Sequence, residues 1–298
     1  MPSTAFAGSF VAIVTPFRDD GEIDWGAWAR LIDLHLQGGT TGLVIGGTTG
    51  ESPTLTEPEL VELTRHAREQ VAGRMQIIVG CGTSCTASTV ERVRLYSGQG
   101  VDGLLLVTPV YSRPPQQGLF LHFEAAARAA GVPVILYNVP TRTAVDLLPE
   151  TVARLARVPN IVALKEAVPS MQRFRDLVAQ CPSGFALLSG DDATAREAMG
   201  HGASGVISVT GNVAPALMSR MIQAARGGEQ ALAAKIDAQL AGLHQALFVE
   251  SNPIPVKWAL ERMGVMHGAL RLPLTRLAQQ HQAAVAAALQ QAGIVPRR

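Results

Sequence analysis

The sequence predicts an α/β protein: a (β/α)8 barrel, the TIM-barrel architecture, with a C-terminal helical appendage. Three observations predict it. Short apolar, β-branched runs of strand length recur eight times, each followed by a stretch of helical period. The runs are apolar at successive positions, which means burial on both faces and parallel strands separated by helices. The eight units fill about 225 residues, the size such a barrel needs. A doubly wound open sheet is the competing architecture. Against it, the first βα turn carries no GxGxxG, and eight units is a large number for an open sheet.

The first run is SFVAIVTPF, residues 9–17. Asp24 is a plausible N-cap for the helix that follows, which stops at Gly38-Gly39. The second run is GLVIGG, residues 42–47, ending in TTGES; Thr56 then caps a helix with Glu59 at capping-box spacing. QIIVGCG (76–82) is the third, and Thr86 is expected to cap the helix through Tyr96. GLLLVTP (103–109) leads into the loop VYSRPPQQG, and PVILYNVP (133–140) is the fifth run. IVALKEAV (161–168), FALLSGD (185–191) and GVISVTG (205–211) complete the set, with a helix after Pro215. Past Arg226-Gly227-Gly228 the pattern is helical only. The expected organisation is therefore a barrel over residues 1–228 and a three-helix region over 229–298, its last helix running through LPLTRLAQQHQAAVAAALQQAG.

Composition narrows the class. Hydrophobic residues make up 47% and charged residues 16%, so a large core is available. Lys plus Arg number 25 against 24 acidic residues, which gives no electrostatic reason to expect nucleic acid or an anionic membrane as partner. Three cysteines without CxxC spacing point to reduced thiols, with Cys81 and Cys85 read as small buried residues. No apolar run approaches the ~20 residues of a membrane span, and the N-terminal apolar run has no basic segment ahead of it. A soluble, cytoplasmic protein is expected.

Barrel active sites lie at the C-terminal ends of the strands. Standing there are Thr15, Thr48-Thr49, Tyr111, Tyr137-Asn138, Arg142, Lys165-Glu166, Gly190-Asp191 and Ile207-Ser208. Lys165 stands out, because a lysine in an apolar run costs free energy unless paired, exposed at a strand end or used for chemistry. Taken alone, it reads equally well as a paired lysine capping a strand. Tyr137 lies one βα unit earlier, so a phenol and an amine can face one another; the plain alternative is a core aromatic. Thr48-Thr49 between glycines suits a carboxylate, or simply a tight turn. Together these residues suggest Schiff-base chemistry, in which a neutral amine attacks a ketone and the iminium acidifies the adjacent carbon. A lysine at its ordinary pKa is only about 0.1% neutral near pH 7.5, so such chemistry needs an apolar site. The seven histidines form no ligand-spaced cluster at the strand ends, so no metal is expected. Asp191-Asp192 is read as a helix N-cap with a first-turn acid.

GTTGES, TPVYSRP, YNVPTRT, IVALKEA, LLSGDD and GVISVT, in this order, resemble the pyruvate-dependent class I lyases of the N-acetylneuraminate lyase type. The resemblance covers nearly the whole chain, including FVESNPIPVKWAL and LRLPLT in the tail. Within that family it points to the branch that condenses pyruvate with L-aspartate 4-semialdehyde, in lysine and diaminopimelate biosynthesis, without a cofactor. It implies that Lys165 forms the Schiff base and that Tyr137 moves protons there, in a relay with Thr48 and Tyr111. In the family the tyrosine matching Tyr111 comes from a neighbouring subunit, and the assembly is a homotetramer built as a pair of dimers. Thr49 is implied to hold the pyruvate carboxylate and the backbone carbonyl of Ile207 to line the pocket, with Gly190 also at the substrate. Arg142 is implied to bind the carboxylate of the second substrate, a role a planar guanidinium suits. The NVPxRT form around Arg142 separates this branch from the sialic acid lyases.

A sister aldolase acting on another aldehyde and a non-catalytic ligand-binding barrel are the competing readings. The second should have lost one of Lys165, Tyr137, Thr48 or Tyr111, and none is lost. A phosphate-sugar isomerase is poorer still, for only GASG hints at a phosphate cup. One departure concerns regulation. Glu57, Leu60, Ser84, Ser88 and Val110 stand where lysine-inhibited relatives keep polar and aromatic residues, so weak or absent inhibition by lysine is expected.

Overall fold

The computed structural model describes residues 6–294. Eight strands, β1 (Gly8–Ala12), β2 (Gly42–Ile45), β3 (Gln76–Gly80), β4 (Gly103–Val107), β5 (Val134–Asn138), β6 (Ile161–Glu166), β7 (Ala186–Ser189) and β8 (Gly205–Ser208), form a closed barrel in chain order. Every residue of β1, β2, β5, β7 and β8 is buried, the two-sided burial that a parallel barrel imposes. Each fully buried Leu, Ile or Val in these strands contributes about 1.5–3 kcal/mol relative to exposure. By internal packing the chain separates into two compact units. One is Gln76–Ile207 with the described residues up to Gly8; the other is Ser9–Met75 with the chain from Ser208 on.

In the second unit, α1 (Trp25–Gln37) begins where the Asp24 carboxylate accepts from the backbone N–H of Ala27 at 2.9 Å. The helix α2 (Glu57–Val71) carries the reciprocal Thr56–Glu59 capping box. Caps of this kind are worth about 1 kcal/mol each, because they satisfy amide donors a helix start leaves open. In the other unit α3 spans Thr86–Ser97, and Thr86 is its first residue rather than its cap. The N-cap position falls to Cys85, which is exposed. The expectation of a buried Cys85 is therefore corrected: it stands at the N-cap, on the exposed loop that enters α3. The next helices are α4 (Gln116–Ala129), the short α5 (Pro140–Thr143) and α6 (Pro149–Leu155), α7 (Met171–Gln180) and α8 (Ala195–Gly200). Asp191 caps the turn ahead of α8: its carboxylate accepts from Thr194 N at 3.0 Å and Thr194 Oγ1 at 2.6 Å.

Two expected boundaries move. The first strand stops at Ala12 instead of Phe17, where the Asn212 side chain takes over the backbone: its Nδ2 donates to Ala12 O at 2.9 Å and its Oδ1 accepts from Val14 N at 3.0 Å. Phe17 instead makes isolated antiparallel bridges to Ile23 and Ala269. After β8 come α9 (Pro215–Arg226) and then the three tail helices α10 (Gln230–Ala246), α11 (Ile254–Arg262) and α12 (Gln279–Gln291), with α10 packed on α9 and α12. The last helix begins at Gln279, not Leu272. The segment before it is held open by Arg271, whose guanidinium donates to Gly21 O, Thr54 O and the Glu59 carboxylate. Among the described residues no helix is long and apolar enough to cross a membrane.

Candidate active site

The strands β5 and β6 pair so that Tyr137 stands beside Lys165 and Asn138 beside Glu166. Alternation along a strand sends Lys165 and Glu166 to opposite faces. Lys165 is 6% exposed and Tyr137 7%. The Lys165 Nζ lies 4.1 Å from the centroid of the Tyr137 ring, within the range where a cation is drawn to an aromatic face. Among the described residues nothing pairs with that amine through a hydrogen bond or an ion pair. Gly190, just past β7, donates its N–H to Glu166 O at 2.7 Å. A Cβ on Gly190 would lie 3.1 Å from Lys165 Cε and 3.0 Å from Ala167 Cβ, so the missing side chain leaves the lysine its space.

On the outer face, Glu166 is fully buried. Its carboxylate accepts from Asn138 Nδ2 at 3.1 Å on both oxygens and from Val168 N at 2.8 Å. Burial pushes its carboxyl up to about 7, against those hydrogen bonds and the Arg173 charge, while Asp146 adds to the rise. Ile207 is buried in β8 and Arg142 is exposed on α5. Tyr111 stands alone: it is 95% exposed, on the loop after β4, with a left-handed φ of 71°. The structure thus brings Lys165, Tyr137 and Gly190 together and leaves the Tyr111 ring in solvent.

The Thr48-Thr49 turn belongs to the other unit. Gly47 O accepts from Gly50 N at 3.1 Å, and Glu51 takes a left-handed φ of 56°. Thr49 is buried, and its Oγ1 accepts from Asn252 Nδ2 at 2.9 Å. That bond occupies a lone pair of the hydroxyl and leaves its hydrogen to donate elsewhere. Thr48 is half-buried. Beneath the turn, Lys257 Nζ donates to Glu51 Oε1 at 2.5 Å and to Thr15 O at 2.9 Å, with both side chains of the ion pair wholly buried. Burial draws the Lys257 ammonium down to about 8, opposed by the Glu51 carboxylate. The Arg271 N–H holds the other Glu51 oxygen at 3.1 Å. Among the described residues no group of three or more His, Cys, Asp or Glu side chains is placed to hold a metal ion.

The profile of the Dihydrodipicolinate synthetase family matches residues 5–292. The chain belongs to that family. It is 50% identical to a 4-hydroxy-tetrahydrodipicolinate synthase of Methylococcus capsulatus over 288 residues, covering 97% of this chain and 99% of the relative. A synthase of the same name from Cellvibrio japonicus is 49% identical over 287 residues, 96% of this chain and 99% of the relative. Among solved structures, the dihydrodipicolinate synthase of Acinetobacter baumannii complexed with pyruvate superposes with a TM-score of 0.95. It is 44% identical, and the match covers 97% of this chain and 99% of that one.

A member of this family therefore carries two buried lysines, and sequence reasoning singles out one. It places Lys257 only within a short helix. The signal that finds it is the one that finds Lys165: a lysine inside an apolar run, here Ile254-Pro255-Val256-Lys257-Trp258-Ala259-Leu260. Asp146 and Arg173 also escape sequence reasoning. Their partners are 8 and 27 residues away, on another strand and helix, and no local pattern marks them.

Proposed function

We propose that this chain catalyses the condensation of pyruvate with L-aspartate 4-semialdehyde to 4-hydroxy-tetrahydrodipicolinate, a lyase-class reaction, through a Schiff base on Lys165. The observation that carries the reading is the buried amine of Lys165 against Tyr137, without a pairing carboxylate, in a chain of this family. The amine attacks the keto carbon of pyruvate, and the carbinolamine loses water to give the iminium. The iminium draws electrons from the adjacent methyl group, which loses a proton and becomes an enamine. The enamine carbon attacks the aldehyde carbon, and the new alkoxide takes up a proton. The amino group of the second substrate then displaces Lys165 from the iminium carbon and closes the ring.

Tyr137 is proposed as the proton carrier at the Schiff-base carbon, in a relay with Thr48 and with Tyr111 supplied by a second copy of the chain. An almost fully exposed tyrosine held in a left-handed turn supports that last role. Thr49, its hydroxyl hydrogen freed by Asn252, is proposed to hold the pyruvate carboxylate, with the Ile207 carbonyl and Gly190 lining the pocket. Arg142 is proposed to bind the carboxylate of the semialdehyde. The resemblance further supports a cytoplasmic homotetramer. The test is turnover with L-aspartate 4-semialdehyde beside other short aldehydes and keto-sugar acids, all with pyruvate. The reading predicts that the semialdehyde is turned over with by far the highest kcat/KM. Faster turnover of another aldehyde would make the chain a sister aldolase instead.

A further inference from the structure

The segment that carries Arg142 runs from Val139 to Leu148, between β5 and α6, and includes the one-turn α5. So short a helix cannot hold a side chain in place by its own hydrogen bonds. What holds the segment is a set of side chains outside it. Asn138 Oδ1 accepts from the backbone N–H of Leu147 at 2.9 Å, and Asn138 Nδ2 donates to Asp146 Oδ1 at 2.7 Å. The other Asn138 N–H points to the Glu166 carboxylate, so both N–H groups and the carbonyl oxygen of this buried amide are engaged. Asp146 is gripped a second time, by Arg173 Nη2 of α7 at 2.5 Å, and Arg173 Nη1 reaches Leu147 O at 3.5 Å. On the far side Arg113 Nε donates to Ala144 O at 3.1 Å and Gln116 Nε2 to Asp146 O at 2.7 Å.

We propose that the Asn138–Asp146–Arg173 cluster, oriented from behind by Glu166, is a positioning device for Arg142, setting affinity for the second substrate without taking part in Schiff-base formation. The proposal rests on the reading of Arg142 as the carboxylate-binding residue. Its physical content is that the cluster ties both ends of the segment to rigid elements. The near end is Asn138, the last residue of β5, and the far end is Asp146-Leu147. Cutting the tie at Asp146 removes the carboxylate that joins Asn138 to Arg173, loosens the far end and lets the guanidinium shift from the position that meets a carboxylate. A displacement of about 1 Å at such a group is enough to cost one to two orders of magnitude. Glu166 thereby gains a part: on the face opposite Lys165, it orients the amide that fixes the segment.

The test compares Asp146→Ala, Arg173→Met and Arg142→Ala in steady-state kinetics, with borohydride trapping of the pyruvate adduct alone as the second readout. Asp146 is partly exposed and Arg173 lies on a surface helix, so both variants should fold; melting curves check this. Expected for Asp146→Ala is a rise of about tenfold in KM for L-aspartate 4-semialdehyde, an unchanged KM for pyruvate, unchanged trapping, and no further loss in an Arg142→Ala background. Suppose Arg142→Ala raises that KM while Asp146→Ala and Arg173→Met leave it alone. The positioning proposal is then wrong and the role of Arg142 stands. An unchanged KM in Arg142→Ala itself removes that role and the proposal with it. Slower trapping with pyruvate in Asp146→Ala would also overturn the proposal, because the cluster would then serve Lys165.

Discussion

Two buried lysines, each lying over an aromatic ring, have opposite fates in this fold. Lys257 Nζ sits 4.4 Å from the Phe17 ring centroid and is paired, with the Glu51 carboxylate and Thr15 O as acceptors. Lys165 Nζ sits 4.1 Å from the Tyr137 ring and has no such partner among the described residues. Burial is common to both, so under the proposed function it is pairing that separates the structural lysine from the reactive one. The Lys257 ammonium is tied by hydrogen bonds to the Glu51 carboxylate and Thr15 O. The Lys165 amine is engaged by no such acceptor among the described residues, which leaves it to meet a carbonyl carbon. The aromatic neighbour differs in the same sense: Phe17 offers only a face, whereas Tyr137 adds a hydroxyl, the proton carrier of the proposed mechanism.

Substitution should separate the two. Lys165→Met is expected to lower kcat/KM by at least about a thousandfold while leaving the melting temperature unchanged or raised, since no pairing is lost. A loss of stability matching the loss of activity would make Lys165 structural after all. Lys257→Met should do the reverse. It strands the Glu51 carboxylate without its cation and should cost about 3–5 kcal/mol of stability, while Glu51→Gln/Lys257→Met together should recover much of it. An Lys257→Met protein as stable as the parent would show that the pair is not needed.

A third prediction uses Glu166, the neighbour of Lys165 on the outer face. Its carboxyl lies at about 7 in the folded chain, raised above its ordinary value by burial. The folded state thus binds this proton more tightly than the unfolded chain does. The stability it contributes is full below the ordinary carboxyl range and is lost as pH rises toward and through 7. The effect is on the order of 3 kcal/mol at the full shift, and Glu166→Gln should remove that slope from the pH dependence of melting. Identical slopes in the two proteins would mean that Glu166 is not held protonated by burial. The smallest effect is expected from Gly190→Ala, whose Cβ would press on Lys165 Cε. A loss of about tenfold in kcat, from a displaced amine, is the expected outcome; unchanged kcat would show that Lys165 has room to shift.

Much of this architecture is legible in the order of residues alone, because barrel strands are buried on both faces and announce themselves as apolar runs. Asp24 and the Thr56–Glu59 box are legible for a similar reason: a helix start leaves amide donors open, and the residues that fill them stand at fixed spacing. Cys85 and the 272–278 segment mislead a sequence reading because each is decided by something distant or absent. Cys85 is left exposed at the start of α3, and the segment is held by Arg271 bonds to Gly21, Thr54 and Glu59. The same holds for the site. Lys165 and Tyr137 show in the sequence because adjacent parallel strands place residues one unit apart side by side. Asp146 and Arg173 do not, because their partners come from other elements and only folding brings them together; Lys257 carries the apolar-run signal of Lys165, and only folding shows the carboxylate that pairs with it.

The central claim is that of the two buried lysines only the unpaired one reacts. Borohydride reduction in the presence of pyruvate, followed by peptide mass analysis, tests it directly. The account predicts a single reduced pyruvate adduct on the peptide containing Lys165 and none on the peptide containing Lys257. An adduct at Lys257 or any other residue, or no adduct at all, would contradict it.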